Sequence, residues 1–241
     1  MATMSVSVMA HPKRSHLVPS LTERLGIGPD RVTWDRMNNR WDTGRRAWID
    51  HDPGADYHMV IQDDATVVSD LVPGLVQALD HVPQEANVCP FIGQRRPAQQ
   101  TVQRLMTLAI SKRASWIEFP SLFWGVAIIA PTAVIPDMIE FGDSVTEYPN
   151  YDKRIGQYFV RVLHWPTFVT WPNLVGHRDV ESLCGHGLGR TAHNFAGESY
   201  SALSFDGSGP VATYSDLPAH QMKRYYRRGR RVPLRGIREG L

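Results

Sequence analysis

Cysteine is scarce in this sequence, and long apolar segments are absent. Only Cys89 and Cys184 occur among 241 residues, which excludes the disulfide framework of a small secreted domain and favours a reducing, cytoplasmic compartment. The longest apolar run, residues 122–130, is well short of the roughly 20 residues that a membrane-spanning helix needs. The first residues lack the apolar segment of a signal peptide. We therefore expect a soluble cytoplasmic protein without a transmembrane segment.

The sequence also lacks the glycine-rich motifs that cradle nucleotides in two large enzyme classes. Neither GxxxxGK[ST] nor GxGxxG occurs, so phosphoryl transfer by a P-loop and dinucleotide redox chemistry are disfavoured. No internal repeat is present. The 42% hydrophobic and 21% charged content is typical of one large α/β domain, with or without an appendage.

Charge is unevenly distributed along the chain. Residues 1–221 contain 18 basic and 23 acidic side chains, whereas residues 222–241 contain 8 basic and 1 acidic. Tyr225 and Tyr226 lie among the arginines of this basic tail, a composition that suits phosphates and stacked bases. A solvated tail, or a tail that packs on the acidic body, explains the same composition, and both interpretations stay open.

The first hundred residues alternate between apolar strands and amphipathic helices. Strands are predicted over residues 5–9, 31–34, 57–61 and 88–92, and helices over residues 17–25, 44–49 and 71–79. This alternation predicts an α/β fold with a largely parallel sheet. Farther along, the pattern predicts a helix opened by Pro97, a buried strand over residues 122–130, a helix that starts near Asp152 and a strand over residues 167–171. Beyond Leu188 the periodicity fades into loops.

Polar side chains follow the first three predicted strands: His11 after the first, Asp35 after the second, and Asp63 and Asp64 after the third. Ligands of parallel sheets bind at the carboxyl ends of the strands. Adjacent carboxylates repel each other and need a metal, a cationic partner or a raised pKa. Aspartate also initiates turns and caps helices, so the pair alone does not separate a binding site from a turn.

Four motifs in this order resemble the nucleotide-sugar-dependent glycosyltransferases of the GT-A fold. They are IQDDA at residues 61–65, FWGVA at residues 123–127, NYDKRIGQYF at residues 150–159 and PNLVGH at residues 172–177. The resemblance covers about residues 5–193, and it predicts a domain of residues 1–193 with a nucleotide-binding half (1–96) and an acceptor half (97–193). It leaves out residues 194–241, a loop-rich extension with the basic tail. It implies a GT-A-like, Rossmann-type sheet flanked by helices, and transfer of a sugar with inversion from a nucleoside diphosphate, a UDP-sugar, to a hydroxyl.

The resemblance also implies a divalent cation, Mn²⁺ or Mg²⁺. Asp64 is its implied ligand, and His177 is an implied ligand of the cation or a partner of the departing diphosphate. Asp63 is oriented toward the ribose or sugar of the donor, or toward a group that supports the cation's ligands. Such cations take one or two carboxylates and complete their shell with phosphate oxygens and water. The two acids are adjacent here, whereas the family's usual motif separates them by one residue.

Donor-binding residues follow from the same resemblance. Ala10, His11 and Pro12 lie where the backbone of the family reads the nucleobase, and Asp35 is the implied partner of the ribose or uracil. Arg14 is within the same loop and could reach a phosphate. Arg40 belongs to an arginine-rich segment, residues 36–48, that fits a diphosphate-sugar loop; a solvated helix face is the alternative for the later arginines of that segment.

The acceptor half supplies the wall of the site and its base. Trp124 and Gly125 are the implied sugar-facing or acceptor-facing wall, with a buried core tryptophan as the alternative. Asp152 is the implied general base that takes the proton of the attacking hydroxyl, with Glu147 as the second choice. A helix cap is the structural alternative for Asp152.

For the acceptor, the basic tail favours DNA with hydroxymethylated or hydroxylated bases, as in phage DNA-modifying enzymes, which act in the host cytoplasm. A base inside a duplex would have to be flipped out. The same charges suit an anionic membrane surface with a lipid-linked or cell-envelope acceptor. Two hypotheses from other classes are a non-enzymatic nucleic-acid-binding module and a nucleotidyltransferase. The sequence assigns neither the sugar nor the oligomeric state.

Overall fold

The computed structural model describes residues 2–94, 99–180, 183 and 191–217. They form an α/β fold in which helices flank a central sheet. The strands, in chain order, are β1 (Met4–Ala10), β2 (Val32–Trp34), β3 (Tyr57–Gln62), β4 (Ala65–Val67), β5 (Asn87–Val88), β6 (Trp116–Phe119), β7 (Ala127–Pro131), β8 (Thr167–Thr170), β9 (Val175–His177) and β10 (Val211–Ala212). The α-helices are α1 (Val18–Leu25), α2 (Arg40–Ile49), α3 (Leu71–Leu79), α4 (Gln99–Lys112), α5 (Ile135–Ser144) and α6 (Tyr151–Tyr158).

The central sheet has eight strands in the order β10-β6-β8-β5-β7-β3-β1-β2, and β4 and β9 form a separate two-stranded sheet. Neighbouring strands are parallel at β1–β2, β1–β3, β5–β8 and β6–β10. They are antiparallel at β3–β7, β5–β7 and β6–β8. The predicted α/β fold with a mostly parallel sheet flanked by helices is therefore confirmed.

The centre of the sheet is apolar on both faces. Val8 of β1 pairs with Ile61 of β3 in parallel register, and both side chains are fully buried. Ile61 pairs on its other side with Ala127, the first residue of β7. The apolar run of β3 is typical of a strand covered by helices on both faces, whereas β1 was predictable because Val6 and Val8 alternate with serines.

The predicted strand over residues 122–130 is shorter than expected, because β7 starts only at Ala127. Tertiary contacts hold the preceding segment in an irregular conformation. The hydroxyl of Tyr151 donates to the carbonyl oxygen of Gly125, and the Trp124 ring packs edge-on against Phe119 and Phe123 at centroid distances of 5.7 and 5.6 Å. The prediction that Gly125 lies within a strand was wrong.

Two other element boundaries differ from the sequence prediction. Helix α2 begins at Arg40 because the Asn39 side chain accepts hydrogen bonds from the backbone N–H groups of Trp41 and Asp42 at 3.0 and 3.2 Å, which caps the helix. Strand β5 has only two residues, because the chain after it bonds to other segments, as where Val175 N–H donates to the carbonyl of Pro90 at 3.0 Å.

Some predictions lie outside the described residues. These are the helix start at Pro97 and the basic tail of residues 222–241. In the described part of the chain, no helix is both long enough and apolar enough to cross a membrane.

Candidate functional site

A cleft of about 190 Å³ opens at the carboxyl ends of β1, β2 and β3. It brings together eight of the side chains or backbone positions predicted from sequence to form the site: Ala10, His11, Arg14, Asp35, Arg40, Asp63, Asp64 and His177. The other lining residues are Met9, Asn38, Thr43, Gln62, Tyr151, Val180 and Leu183. The predicted convergence of the strand-end residues is thus present in the structure.

The turn between β3 and β4 fixes the two adjacent acids. Asp63 N–H donates to the carbonyl of Met9 at 3.1 Å, and the carbonyl of Asp64 accepts from Arg178 N–H at 2.8 Å. Strand β4 then pairs with β9, with Ala65 opposite His177. Because this short pairing joins the end of the third strand to a segment more than a hundred residues later, His177 lies beside Asp64.

Asp63 ties the first loop to the floor of the cleft. Its Oδ2 accepts the backbone N–H of His11 at 2.7 Å, and its Oδ1 lies 3.2 Å from Nη1 of Arg14. The side chain is buried. Burial raises the pKa of Asp63 above its ordinary value, against the opposing effects of the His11 N–H and of Arg14.

Asp64 has the opposite shift although it is equally buried. Burial acts to raise the pKa of Asp64, but the hydrogen bond and charge of His177, together with Arg14, hold that pKa below its ordinary value. Its Oδ2 contacts Nε2 of His177 at 3.2 Å and accepts from Nη1 of Arg14. Asp64 is therefore the acid of the pair that stays ionised more readily.

Two buried polar atoms at this point have no hydrogen-bond partner within the described part of the chain. They are Oδ1 of Asp64 and Nδ1 of His177. Buried polar atoms are nearly always satisfied, and an exception commonly marks a ligand contact. A carboxylate oxygen and an imidazole nitrogen are both donors that Mn²⁺ accepts, so each residue has a donor atom for a divalent cation, although Nε2 of His177 and not Nδ1 faces Asp64.

The described residues nevertheless do not supply a complete metal site. Among them, no group of three or more His, Cys, Asp or Glu side chains is arranged to hold a metal ion. A cation at Asp64 would depend on further ligands from a bound molecule, which is usual for Mg²⁺ held by one or two carboxylates and substrate phosphates.

The cleft lining includes a second arginine, Arg40, besides Arg14. Arg40, the first residue of α2, donates from Nη1 to Oδ1 of Asn150 at the start of α6, so the two helices meet at this arginine. Asp35 contributes mainly to local structure, since its Oδ1 accepts the N–H groups of Met37 and Asn38 at 3.0 and 2.6 Å. Pro12 opens the 3₁₀ helix Pro12–Leu17 and is not part of the cleft lining.

Asp152, Gly125 and Trp124 are not among the residues that line the cleft, and Asp152 is partly exposed. A Cβ added to Gly125 would be 2.4 Å from Cβ of Asp152, so the two backbones approach closely only because Gly125 has no side chain. Tyr151 links this pair to the cleft, because its ring lines the cavity and its hydroxyl bonds to Gly125. Trp124 is 8% exposed, in agreement with the core alternative.

Asp152 is the second residue of α6, after the N-cap Asn150, so it is not the cap residue. Its Oδ1 accepts the N–H of Lys153 at 2.9 Å. Burial raises the pKa of Asp152 above its ordinary value, with Lys153 N–H and the charge of Arg40 opposing the shift. Glu147, the second choice for a base, is exposed.

Sequence reasoning did not assign Gln62, Thr43 and Tyr151 to the site. Gln62 and Tyr151 fall inside the quoted motifs and are hydrogen-bonded to each other at 3.4 Å. Both could have been predicted from their positions, because each is next to an acid that the motif identified. Thr43 lies within the assigned segment 36–48, but nothing in the sequence singled it out from its neighbours. It lines the cleft because α2 already begins at Arg40.

Neither the models of known protein families nor the curated proteins contain a match to this chain.

Proposed function

We propose that this protein is a metal-dependent glycosyltransferase that moves a sugar from a nucleoside diphosphate donor, UDP-sugar, to a hydroxyl group. The observation that carries the proposal is Asp64: a buried, readily ionised carboxylate with one oxygen that has no described partner. It lies in a cleft with Arg14, Arg40 and His177. Carboxylate and cations together suit a diphosphate and its counterion. The resemblance of the four motifs to the GT-A family supports the same assignment.

In this proposal the donor lies along the carboxyl ends of the first three strands. The backbone of Ala10 and His11 borders the nucleoside, and Asp35 contacts the ribose. Arg14 and Arg40 face the diphosphate, where a planar guanidinium forms paired hydrogen bonds with phosphate oxygens. Asp63 holds the His11 loop in place.

Asp64 and His177 would hold Mn²⁺ or Mg²⁺. A bound divalent cation supplies a Lewis acid that stabilises negative charge on a leaving diphosphate. Arg14 and Arg40 add positive charge beside the diphosphate. This charge stabilises the diphosphate most as its bond to the sugar breaks.

Asp152 acts as the general base. Its carboxylate takes the proton of the acceptor hydroxyl while the hydroxyl oxygen attacks the anomeric carbon. The bond from that carbon to the diphosphate oxygen breaks, and the diphosphate leaves with the electron pair. A pKa raised by burial brings an aspartate closer to the working pH, which improves it as a base.

The proposed acceptor is DNA that carries hydroxymethylated or hydroxylated bases. The support is the charge of residues 222–241, with eight basic side chains and one acidic, since phosphate neutralisation supplies most non-specific DNA affinity.

The decisive experiment incubates the protein with Mn²⁺, a panel of nucleotide sugars and hydroxymethylpyrimidine DNA, and then measures the masses of the released nucleosides. A mass increase equal to one sugar is expected, and Asp64→Asn should abolish it. Glu140→Gln, which changes an exposed acid on α5, should retain it. Release of pyrophosphate would identify a nucleotidyltransferase. DNA binding without any product would identify a binding module.

A further inference from the structure

Arg14 lies between the two acids of the cleft. It lies at a kink in the 3₁₀ segment Pro12–Leu17 that follows β1, and its side chain is 12% exposed. A single nitrogen, Nη1, is 3.2 Å from Oδ1 of Asp63 and also donates to Oδ2 of Asp64. The guanidinium therefore supplies positive charge to a carboxylate pair that would otherwise repel itself.

This position conflicts with a divalent cation at Asp64. The carboxylate of Asp64 already contacts Arg14 and His177 through Oδ2. A cation that approaches Oδ1 would meet the charge of Arg14 a few ångströms away, in a buried environment where like charges are weakly screened. Removing Arg14 from the pair would relieve that repulsion.

A diphosphate provides the reason for Arg14 to move. Arg14 lines the same cleft as the acids, and guanidinium groups form strong charge-assisted bonds with phosphate oxygens. Since a long side chain can change partner by rotation about its own bonds, the exchange needs no movement of the 3₁₀ helix.

We propose that Arg14 is an exchangeable counterion: it neutralises Asp63 and Asp64 in the empty cleft and transfers to the diphosphate when the donor binds. Asp64 thereby becomes available to a divalent cation only together with a diphosphate. Cation and diphosphate then bind cooperatively, and by linkage each strengthens the other equally. The inference rests on the proposed function for the identity of the ligands.

The test measures free Mn²⁺ by electron paramagnetic resonance during titration with protein, with and without UDP. The wild-type protein should bind Mn²⁺ weakly alone and at least about tenfold more tightly with UDP, within the usual range of coupling. Arg14→Gln should bind Mn²⁺ alone more tightly than wild type, and UDP should strengthen that binding much less. Arg24→Gln, which changes an exposed arginine paired with Glu198, should behave as wild type.

Arg14→Lys is the second variant, in case the glutamine variant does not fold. Lysine keeps the charge but loses the planar fork, so Mn²⁺ alone should still bind weakly, and the strengthening by UDP should fall. The proposal is overturned if Arg14→Gln binds Mn²⁺ alone no better than wild type, or if Arg14→Lys keeps the full coupling.

The readout separates this inference from the proposed function, because no sugar is transferred in it. Coupled binding of Mn²⁺ and UDP without any glycosylated product would overturn the glycosyltransferase and leave the exchange of Arg14 intact. Unchanged Mn²⁺ binding by Asp64→Asn would remove the cation site and the exchange with it.

Discussion

At the scale of single residues, Asp63 and Asp64 differ in the direction of their pKa shifts although they are identical in type and adjacent in sequence. Both are buried, yet the pKa of Asp63 is raised and that of Asp64 lowered. The difference comes from His177, which contacts only Asp64 of the two. Residues from distant segments, and not the motif itself, therefore set the different pKa shifts of the two acids.

The role of Asp152 can be tested by replacing its carboxylate with an amide of the same size. Asp152→Asn removes the proton acceptor but keeps the size of the side chain, so UDP binding should be retained while kcat falls by roughly 100- to 10,000-fold. Calorimetry with UDP and a turnover assay measure the two effects.

Glu147→Gln is the matched control, since Glu147 is exposed and should be dispensable. Normal turnover in Asp152→Asn would reduce Asp152 to a structural role. Loss of turnover in Glu147→Gln alone would assign the base to Glu147.

Gly125 should tolerate no side chain. In Gly125→Ala the added Cβ would lie 2.4 Å from Cβ of Asp152, so Asp152 must move. We expect a lower kcat with little change in donor affinity, and a loss of stability of about 1–3 kcal/mol from overpacking. Turnover and urea denaturation measure both. Gly54→Ala, whose added Cβ would lie 3.3 Å from Oδ1 of Asp52, is the control and should retain wild-type turnover.

At the scale of elements, the sequence predicted those strands whose burial is local in origin. The apolar residues of β3 were visible because a doubly covered strand requires such a run, and β1 was visible because its valines alternate with serines. The acids were visible because they directly follow β3. The irregular segment before β7 was not visible, since the hydroxyl of Tyr151 takes up the carbonyl of Gly125. Nor was the partnership of Arg14 with the acids, because it depends on the path of the loop after β1.

The packing of α2 on β3 contains a buried histidine. The Nε2–H of His58 donates to the carbonyl of Ala47 at 3.0 Å, so its Nδ1 accepts from the hydroxyl of Ser5 at 2.8 Å. Both bonds are made by the neutral ring. Burial lowers the pKa of His58 from 6.5 to about 4, despite partial opposition from the Ala47 carbonyl.

This histidine predicts a loss of stability in acid. Between pH 6.5 and about 4 the unfolded chain binds a proton that the folded chain excludes. The free energy of unfolding therefore falls as the pH falls through that window. Above the window, the contribution of the neutral His58 to stability is complete. The loss should approach about 3 kcal/mol.

Urea denaturation at pH 7.5 and pH 5 measures that loss, and in His58→Gln the difference between the two pH values should shrink. His164→Gln, an exposed histidine variant, should keep the wild-type difference. An equal pH dependence in His58→Gln and wild type would contradict the assignment.

At the scale of the whole molecule, the charges of the chain are segregated. The acidic excess lies in residues 1–221 and the basic excess in residues 222–241. Ending the chain after residue 221 should weaken DNA association and flatten its dependence on salt, because fewer counterions are released on binding. Fluorescence anisotropy at several salt concentrations measures both effects.

The truncation should leave donor binding unchanged. Calorimetry with UDP measures donor binding and serves as the control. A DNA affinity equal to that of the full chain would exclude the tail as the DNA-binding segment.

The direction of β7 has a consequence for how the protein could diversify. Because β7 runs antiparallel to β3, with Ala127 opposite Ile61 and Pro131 opposite Tyr57, its first residue lies at the edge of the cleft and its last at the far edge. Insertions after Pro131 would therefore lie at the edge of the sheet remote from the cleft, whereas changes over residues 120–126 would act beside the cleft, through the bond between Gly125 and Tyr151. If the protein has the proposed function, new acceptor preferences could evolve in that short segment while β1, β2 and β3 remain untouched.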